Sequence, residues 1–473
     1  MLRRSSLCRW IGELVKQQTY ERTSRTPACD ECYRDVTPTT LCFALELIYH
    51  PLPSPICGSY IAGMRVRRVL AGFLGLILFP SLPGCCSDLA LVHAKIYPSP
   101  TQPPIEDGAI LVREGRIVGF GPNAKIKVPR GATVLDCKGL VVTAGFWNSH
   151  VHILIPGLLH AEKLSSEQIT SQLQAMLTHW GFTTVFDIAS VLENTTLIRR
   201  RIESGEVRGP KILTVGEPLW IKTPIYVRRF LESNHIDIPE VGSTSQATER
   251  VRQQIHLGAD GIKIFANSIE QDGILTMPLD LAHAIVAEAH RAGKPVFAHV
   301  SNNQGIEVAL QSGVDILAHT TPADDLWTPA FAERLAAAHM ALTPTLALWE
   351  VEYKGSDPDD LKKGMSKAAQ QLRAFSEAGG QVLFGTDVGY IERFDTSEEF
   401  VWMSQAGMSF KQILASLTTN PAERFGEAAH SGRIAKGMDG DLVVLRADPA
   451  QDAAAFSKVR CTIRNGRVVY SDN

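Results

Sequence analysis

Six side chains that could bind a metal ion or carry a proton occur where short apolar runs of this sequence end or are interrupted. His150 and His152 flank a single valine. In an extended chain this spacing puts both imidazoles on one side, within reach of one cation. The other four belong to later apolar runs: Lys263, His299, His319 and Asp387. Residues of these types ligate metals or carry protons, so their recurrence predicts a metal centre.

Each of the six has an ordinary structural interpretation when it is taken alone. Two histidines at this spacing are as often structural as ligating, a lone buried lysine is usually paired, and Asp387 could cap the helix that follows it. The prediction of a metal centre therefore rests on all six residues together, because residues at corresponding strand positions would meet at one face of a barrel. Trp349 and His339 have no such position, and we expect them in the core or at its rim.

Eight apolar or β-rich stretches carry these residues, and helical patterns separate the stretches. The stretches span residues 140–144, 183–188, 211–215, 261–265, 295–298, 314–317, 341–344 and 381–385. The clearest helical patterns span residues 279–292, 329–338 and 366–378. Apolar strands alternating with helices predict a parallel sheet covered by helices, and eight strands close a barrel. We therefore predict an α/β fold, a (β/α)8 TIM barrel with the site at the C-terminal ends of its strands.

Short strand patterns near both chain ends predict a second, smaller domain. One hairpin pattern turns at Glu114-Gly115 and another at Asn465-Gly466, where glycine can adopt positive φ. A lone hairpin is marginal in water, so we expect the two ends to pair into one β-sandwich. The predicted division of the chain is a sandwich from residues 88–144 and 429–473 and a barrel from residues 145–428.

The N-terminal region has the pattern of an exported protein. Residues 1–63 lack sustained periodicity, and we interpret them as an extension upstream of a true start at Met64. Residues 64–87 combine a basic start, a short apolar run and a small-residue end, which is typical of a secretory signal. The end resembles a bacterial lipobox despite Pro83, which predicts a lipid anchor at Cys85. The predicted location is the periplasm, or the membrane as an anchored bacterial lipoprotein.

Composition sets wide limits on the class of protein. The 473 residues are 45% hydrophobic and 21% charged, as in soluble globular proteins, and the net charge of −3 gives no reason to expect a nucleic-acid partner. Seven of the nine cysteines precede residue 87, so we expect the body of the protein not to depend on disulfides. Cys29-x-x-Cys32 has no second pair to complete a metal site. Whether the chain forms a homo-oligomer is left open.

The motifs around the six side chains resemble those of the amidohydrolase superfamily, in matching order over about residues 88–473. The nearest resemblance is to the imidazolonepropionase-like branch, which includes prolidase-like enzymes with a binuclear metal site. The matching motifs are Val142-Thr-Ala-Gly-Phe-Trp-Asn-Ser-His-Val-His152, Gly258-Ala-Asp-Gly-Ile-Lys-Ile-Phe265, Phe297-Ala-His299, Gly313-Val-Asp-Ile-Leu-Ala-His319, Gly385-Thr-Asp387, Thr418-Thr-Asn-Pro-Ala422 and Gly432-Arg-Ile-Ala-Lys-Gly437.

The resemblance implies a binuclear hydrolase of an amide or peptide C–N bond. The implied ligand sets are His150, His152 and Asp387 for one metal, and His299 and His319 for the other. Lys263 would bridge both metals as an N-carboxylated lysine, since an ammonium would repel two dications. Zinc is the default ion for such ligands. A metal-bridging hydroxide would attack the carbonyl, and Asp387 would act as general base and then general acid.

Two departures from the family pattern and two alternative functions remain. Asn148 stands where the family often has Asp, which weakens support of a ligand, and Thr143-Ala144 replaces Pro-Gly without an expected effect.

A mononuclear deaminase of the same superfamily is one alternative, but it has no use for Lys263. A non-catalytic binding protein of this fold is another, and the intact ligand set argues against it.

The predicted substrate is a small molecule, a dipeptide or an N-acyl amino acid. The loop over residues 217–229 carries Tyr226, Arg228 and Arg229, which could clamp a substrate carboxylate. For each of the three, a place in a solvated loop is the alternative.

Overall fold

The structure is a computed structural model, and it describes residues 88–472. The predictions for the extension, the secretory signal and the lipid anchor at Cys85 lie outside these residues. Within residues 88–472 no helix has both the length and the apolar character needed to cross a membrane. Cys137 and Cys461 are both buried free thiols.

Strands and helices alternate through most of the described chain. The strands are β1 (Leu89–Ile96), β2 (Ile105–Arg113), β3 (Arg116–Pro122), β4 (Thr133–Asp136), β5 (Val141–Ala144), β6 (Phe146–Val151), β7 (Phe182–Asp187), β8 (Lys211–Thr214), β9 (Ile262–Phe265), β10 (Asn267–Glu270), β11 (Gly273–Thr276), β12 (Val296–His299), β13 (Ile316–Ala318), β14 (Ala341–Thr343), β15 (Gln381–Val382), β16 (Leu442–Leu445), β17 (Val459–Arg464) and β18 (Arg467–Ser471). The α-helices are α1 (Ser166–Met176), α2 (Leu192–Glu203), α3 (Ile225–Ser233), α4 (Thr244–His256), α5 (Leu279–Arg291), α6 (Asn303–Ser312), α7 (Pro329–Ala337), α8 (Leu346–Glu352), α9 (Pro358–Glu377), α10 (Ser397–Gln405), α11 (Phe410–Leu417) and α12 (Thr419–Arg424).

Two parallel sheets form the centre of the molecule, one in the order β6-β7-β8 and the other in the order β9-β12-β13-β14-β15. Most of their residues are buried, as expected for parallel strands covered by helices. Parallel bridges join the sheets at both edges, between Leu219 and Ile264 and between Val151 and Val388. The predicted α/β class is confirmed.

The assignment of residues 140–144 to the first parallel strand is wrong. These residues form β5, which pairs with β1 and with β16. The parallel strand is instead β6, all six residues of which are buried. Its polar residues Asn148, Ser149 and His150 break the apolar pattern, and the neighbouring run at residues 140–144 fits that pattern better. His150 consequently lies inside a strand rather than after one.

An eight-stranded sheet joins the two ends of the described chain. Its order is β18-β17-β16-β5-β1-β2-β3, and β4 pairs with β1. Both predicted hairpins are present, and their turns have positive φ at Glu114 (50°), Gly115 (77°), Asn465 (49°) and Gly466 (70°). Two consecutive residues at positive φ are the requirement of the two-residue turns that suit twisted hairpins.

The three predicted helices are present, but one of them is longer than its sequence pattern predicts. The patterns at residues 279–292 and 329–338 correspond to α5 and α7, whereas residues 366–378 are only the second half of α9. Helix α9 begins earlier because Asp357 caps it, its side chain accepting from Asp359 N, and Pro358 occupies the first turn.

One buried carboxyl group makes the stability of the folded protein depend on pH. Glu399 in α10 is fully buried, and its Oε2 accepts a hydrogen bond from Ala347 N (2.7 Å) in the first turn of α8. Burial raises the pKa of Glu399 to about 7, although the backbone hydrogen bonds oppose the shift. The folded protein therefore retains a proton that the unfolded chain releases above the ordinary glutamate pKa of 4.5. Stability from this group is complete below pH 4.5 and is lost as pH rises towards 7.

The variant Glu399→Gln should remove this pH dependence. Between pH 4.5 and 7 the free energy of unfolding of the wild type should fall relative to that of the variant, by at most about 3 kcal/mol. Urea unfolding at several pH values measures the difference, with the exposed Glu333→Gln as the control. Parallel stability profiles for wild type and Glu399→Gln would contradict the buried-proton account.

Candidate metal centre

Three predicted ligands converge on one carboxylate oxygen. Asp387 Oδ1 lies 2.7 Å from His152 Nε2 and 3.0 Å from His150 Nε2, and the ligand atoms of the three all lie within 4.8 Å of one another. His150 and Asp387 are buried. The Nε2 atom of His150 faces the carboxylate but forms no aligned hydrogen bond within residues 88–472. A buried nitrogen without a hydrogen bond beside a carboxylate fits a position that a cation completes.

The rings of three histidines are fixed through their Nδ1 atoms. His150 Nδ1 lies 3.1 Å from Thr343 Oγ1, and His319 Nδ1 lies 2.7 Å from Thr345 Oγ1. His152 Nδ1 lies 2.9 Å from the Ala189 carbonyl oxygen. Such outer contacts orient an imidazole and leave its Nε2 as the ligand atom.

His299 and His319 lie beside this group but outside it. The ring centroid of His319 is 4.6 Å from that of His150 and 5.1 Å from that of His299. His299 Nε2 is 3.3 Å from Tyr226 Oη and 3.2 Å from Ser301 Oγ. Because Nε2 has these neighbours, Nδ1 is the nitrogen of His299 that remains for a ligand.

Lys263 is a buried amine in β9, and its Nζ lies 5.9 Å from the centroid of the Phe265 ring. Its side chain is 2% exposed and makes no ion pair or hydrogen bond within residues 88–472. Burial lowers the pKa of Lys263 to about 7, with the negative charge of Asp387 acting in the opposite direction. The lowered pKa favours the neutral amine, the state in which its nitrogen is nucleophilic.

Burial also keeps the histidines in the protonation state that metals require. It lowers the pKa of His150 and of His299 to about 3 and that of His319 well below its usual value. Burial alone would raise the pKa of Asp387, but His150 and the neighbouring histidines hold it well below the usual range. Neutral imidazoles around an ionised carboxylate are ready to bind a cation.

The backbone is turned unusually at two of these residues. His319 and Asp387 have φ of 78° and 61°, and Thr345, which contacts His319, has φ of 45°. Left-handed backbone at non-glycine residues costs of order 1 kcal/mol or more each and clusters at functional sites. The surrounding structure therefore holds these side chains in positions that the local chain would not choose.

The three predicted substrate-binding residues have different surroundings. Tyr226 lies against His299, and burial raises its pKa well above the usual value, so its hydroxyl stays protonated. Arg228 pairs with Glu270 (3.1 Å) and donates to the Thr223 carbonyl oxygen. Arg229 is exposed on α3. Of the three, the structure places only Tyr226 beside a proposed ligand, His299.

Asn148 links two strands that carry ligands. Its Nδ2 donates to Thr386 Oγ1 (2.8 Å), next to Asp387, and its Oδ1 accepts from His150 N (3.2 Å). The amide can do both because it offers a donor and an acceptor, whereas a carboxylate offers acceptors alone. The departure from Asp therefore has a structural use here.

Trp349 is half-buried and packs against the core, as predicted, and its ring centroid also lies 6.3 Å from that of His319. Two further residues beside the site were not predicted from the sequence. Tyr390 and Glu352 form a hydrogen bond (2.9 Å) beside Tyr226. Tyr390 lies in a loop and Glu352 at the end of a helix, so no strand pattern marks them.

Comparison with known proteins identifies the family. The model of the Amidohydrolase family matches residues 141–469, and the chain belongs to this family. The ochratoxinase of Aspergillus niger is 21% identical over 411 residues, 78% of this chain and 84% of that enzyme. The imidazolonepropionase of Thermoplasma acidophilum is 25% identical over 402 residues, 77% of this chain and 90% of that enzyme.

A solved structure gives the same fold. A Xaa-Pro dipeptidase with methionine bound in its active site matches with a TM-score of 0.70 at 22% identity, over 82% of this chain and 100% of that one. The predicted superfamily and its imidazolonepropionase-like branch are confirmed, as is the class of hydrolases that act on C–N bonds. Divalent metals are general in this family, and His150, His152 and Asp387 form a candidate site for one.

The close approach of two chain segments behind His152 gives a test of the site. Gly389 has φ of 104°, and a Cβ there would lie 1.9 Å from the His152 carbonyl oxygen. Gly379 has φ of 77° with nothing within 4 Å of an added Cβ. The variant Gly379→Ala should thus lose about 1 kcal/mol of stability from backbone strain alone.

In Gly389→Ala the same strain adds to displacement of His152, so zinc affinity should fall at least about tenfold below that of Gly379→Ala. Calorimetric titration of each metal-free variant with zinc measures the difference. Equal zinc affinities of the two variants would show that the position of His152 does not govern metal binding.

Proposed function

We propose that the protein is a binuclear metal hydrolase that cleaves an amide or peptide bond. The observation that carries this proposal is Lys263, a buried amine without an ion pair or a hydrogen bond within residues 88–472, beside histidines whose pKa values are lowered by burial. A lysine ammonium is poorly tolerated there, whereas a neutral amine can react with carbon dioxide to give a carbamate. A carbamate is an anion with two oxygens, suited to bridge two cations.

The proposed ligands divide into two sets. One metal would be held by His150, His152 and Asp387, and the other by His299 and His319, with carboxylated Lys263 between them. The donor chemistry fits zinc, which prefers imidazole and carboxylate ligands. The buried Nε2 of His150 and the remaining Nδ1 of His299 are the nitrogens that support this division.

The chain's own groups would manage protons and orientation. Two bound divalent ions would polarise the scissile carbonyl and lower the pKa of water. Asp387 would accept a proton from the attacking water and deliver it to the leaving nitrogen as the C–N bond breaks. Tyr226, whose raised pKa keeps its hydroxyl a donor, would hydrogen-bond the substrate.

We propose a dipeptide or an N-acyl amino acid as the substrate. The match to a Xaa-Pro dipeptidase motivates peptide bonds, and Tyr226 supports recognition close to the metal ligands. Arg228 is paired with Glu270, which favours Tyr226 over Arg228 for substrate recognition.

The finer architecture is also proposed. The bridges at both edges of the two parallel sheets support a closed eight-stranded barrel, and the pairing of β5 with β16 supports a small β-sandwich domain from both chain ends. From the pattern of residues 64–87 we propose export of the protein as a bacterial lipoprotein anchored at Cys85. Mass spectrometry of the native N-terminus tests this, and a peptide from residues 1–63 would refute it.

Metal analysis of the purified protein and of Lys263→Ala tests the binuclear site. The wild type should contain about two ions per chain. The variant should lose hydrolytic activity and most of the second ion, because the bridging anion is gone. The exposed Lys363→Ala should match the wild type in both measurements.

Reconstitution separates the carbamate from a general loss of structure. Metal-stripped wild type should regain activity with zinc faster in bicarbonate than in bicarbonate-free buffer, because the amine must first react with carbon dioxide. One ion per chain in an active wild type would favour a mononuclear deaminase. No ion at all would favour a binding protein, and full activity with two ions in Lys263→Ala would refute the bridge.

A further inference from the structure

A second carboxylate lies near the metal ligands without a cation of its own. Glu352 ends α8, and its Oε1 accepts a hydrogen bond from Tyr390 Oη (2.9 Å). No Lys, Arg or His of residues 88–472 forms an ion pair with it. The neighbouring Glu350 differs in this respect, because it pairs with Arg393 and accepts from Trp402 Nε1.

Two tyrosines connect Glu352 to the proposed ligands. Tyr390 N donates to the Asp387 carbonyl oxygen (3.2 Å), so the residue that holds Glu352 is anchored to a ligand. The ring of Tyr390 is 5.8 Å from that of Tyr226, whose hydroxyl is 3.3 Å from His299 Nε2. Tyr390 therefore contacts both Glu352 and the proposed ligand Asp387.

This position is electrostatically unfavourable for an unpaired carboxylate. Burial raises the pKa of Glu352, the Tyr390 hydrogen bond opposes the shift, and the negative charge of Asp387 adds to it. A partly desolvated carboxylate beside another is stabilised by a cation. Tyr226 and Tyr390 add aromatic rings, which also favour an ammonium. Since residues 88–472 supply no such cation, a ligand is the natural source.

We propose that Glu352 binds the α-ammonium group of the substrate and selects dipeptides over N-acyl amino acids. This inference rests on the proposed function and narrows its substrate class. In a dipeptide the α-ammonium is separated from the scissile carbonyl by a single carbon, so it is the substrate cation nearest to the metal ligands. An N-acyl amino acid has no cation there and would leave Glu352 unpaired.

Matched substrate pairs test the selection. Alanyl-phenylalanine and propionyl-phenylalanine differ only by the amino group, as do alanyl-proline and propionyl-proline. The zinc-loaded wild type should hydrolyse the alanyl member of a pair with a kcat/KM about 10- to 100-fold higher, the range of a hydrogen bond to a charged group.

The variant Glu352→Gln should reduce this ratio at least about tenfold, because the amide keeps the shape and loses the charge. The exposed Glu392→Gln removes a carboxylate two residues from Tyr390 and should keep the wild-type ratio. Glu352→Asp retains the charge on a shorter side chain and should keep a ratio above that of Glu352→Gln. Zinc content and thermal unfolding show whether each variant is folded.

The outcomes distinguish failure of the role proposed for Glu352 from failure of the proposed hydrolase function. Equal hydrolysis of both members by the wild type would overturn the inference and leave the amide hydrolase intact, as would an unchanged ratio in folded Glu352→Gln. The wild-type ratio decides even if that variant fails to fold. Hydrolysis of neither member of either pair would overturn the proposed substrate class and the inference together.

Discussion

The contact of Asp387 Oδ1 with the Nε2 atoms of His150 and His152 is the interaction on which the rest of the site depends. It joins β6 to the segment after β15, two parts of the chain more than 200 residues apart in sequence. The carboxylate is buried, and neighbouring histidines, His150 foremost, stabilise its charge. A bound cation would stabilise these three side chains, because their contacts with one another would be replaced by bonds to a common metal ion.

Several features at and near the site are unfavourable when each is taken alone, because they strain the backbone or bury an ionisable group. His319 and Asp387 adopt left-handed backbone, Lys263 is buried without an ion pair or a hydrogen bond in the described chain, and Glu399 is buried against the first turn of α8. The well-packed parallel strands and their covering helices compensate for these features. Thr343, the last residue of β14, and Thr345, two residues later, orient His150 and His319 without adding charge.

Sequence reasoning recovered the α/β class and the hairpins, because strand ends and short turns have recognisable patterns. Of the six candidate side chains, His150, His152 and Asp387 form one compact group, and the roles of all six stay predictions. It misplaced the first parallel strand, since His150 and its polar neighbours are buried for reasons of chemistry that an apolar pattern does not register. It grouped Tyr226 with two arginines, although α3 directs only Tyr226 to the cluster and Glu270 holds Arg228. Glu352 has no local pattern at all, because its significance depends on its surroundings in three dimensions, where no cation of residues 88–472 pairs with it.

The central claim is that Lys263 is a carboxylated bridge between two metals. X-ray diffraction from zinc-loaded crystals, recorded at the zinc absorption edge, tests it most directly. The account predicts two anomalous peaks, one at His150, His152 and Asp387 and one at His299 and His319, with continuous density from Lys263 Nζ to a carboxylate between them. A single peak, or a Lys263 side chain that ends at its amine in the zinc-loaded protein, would contradict it.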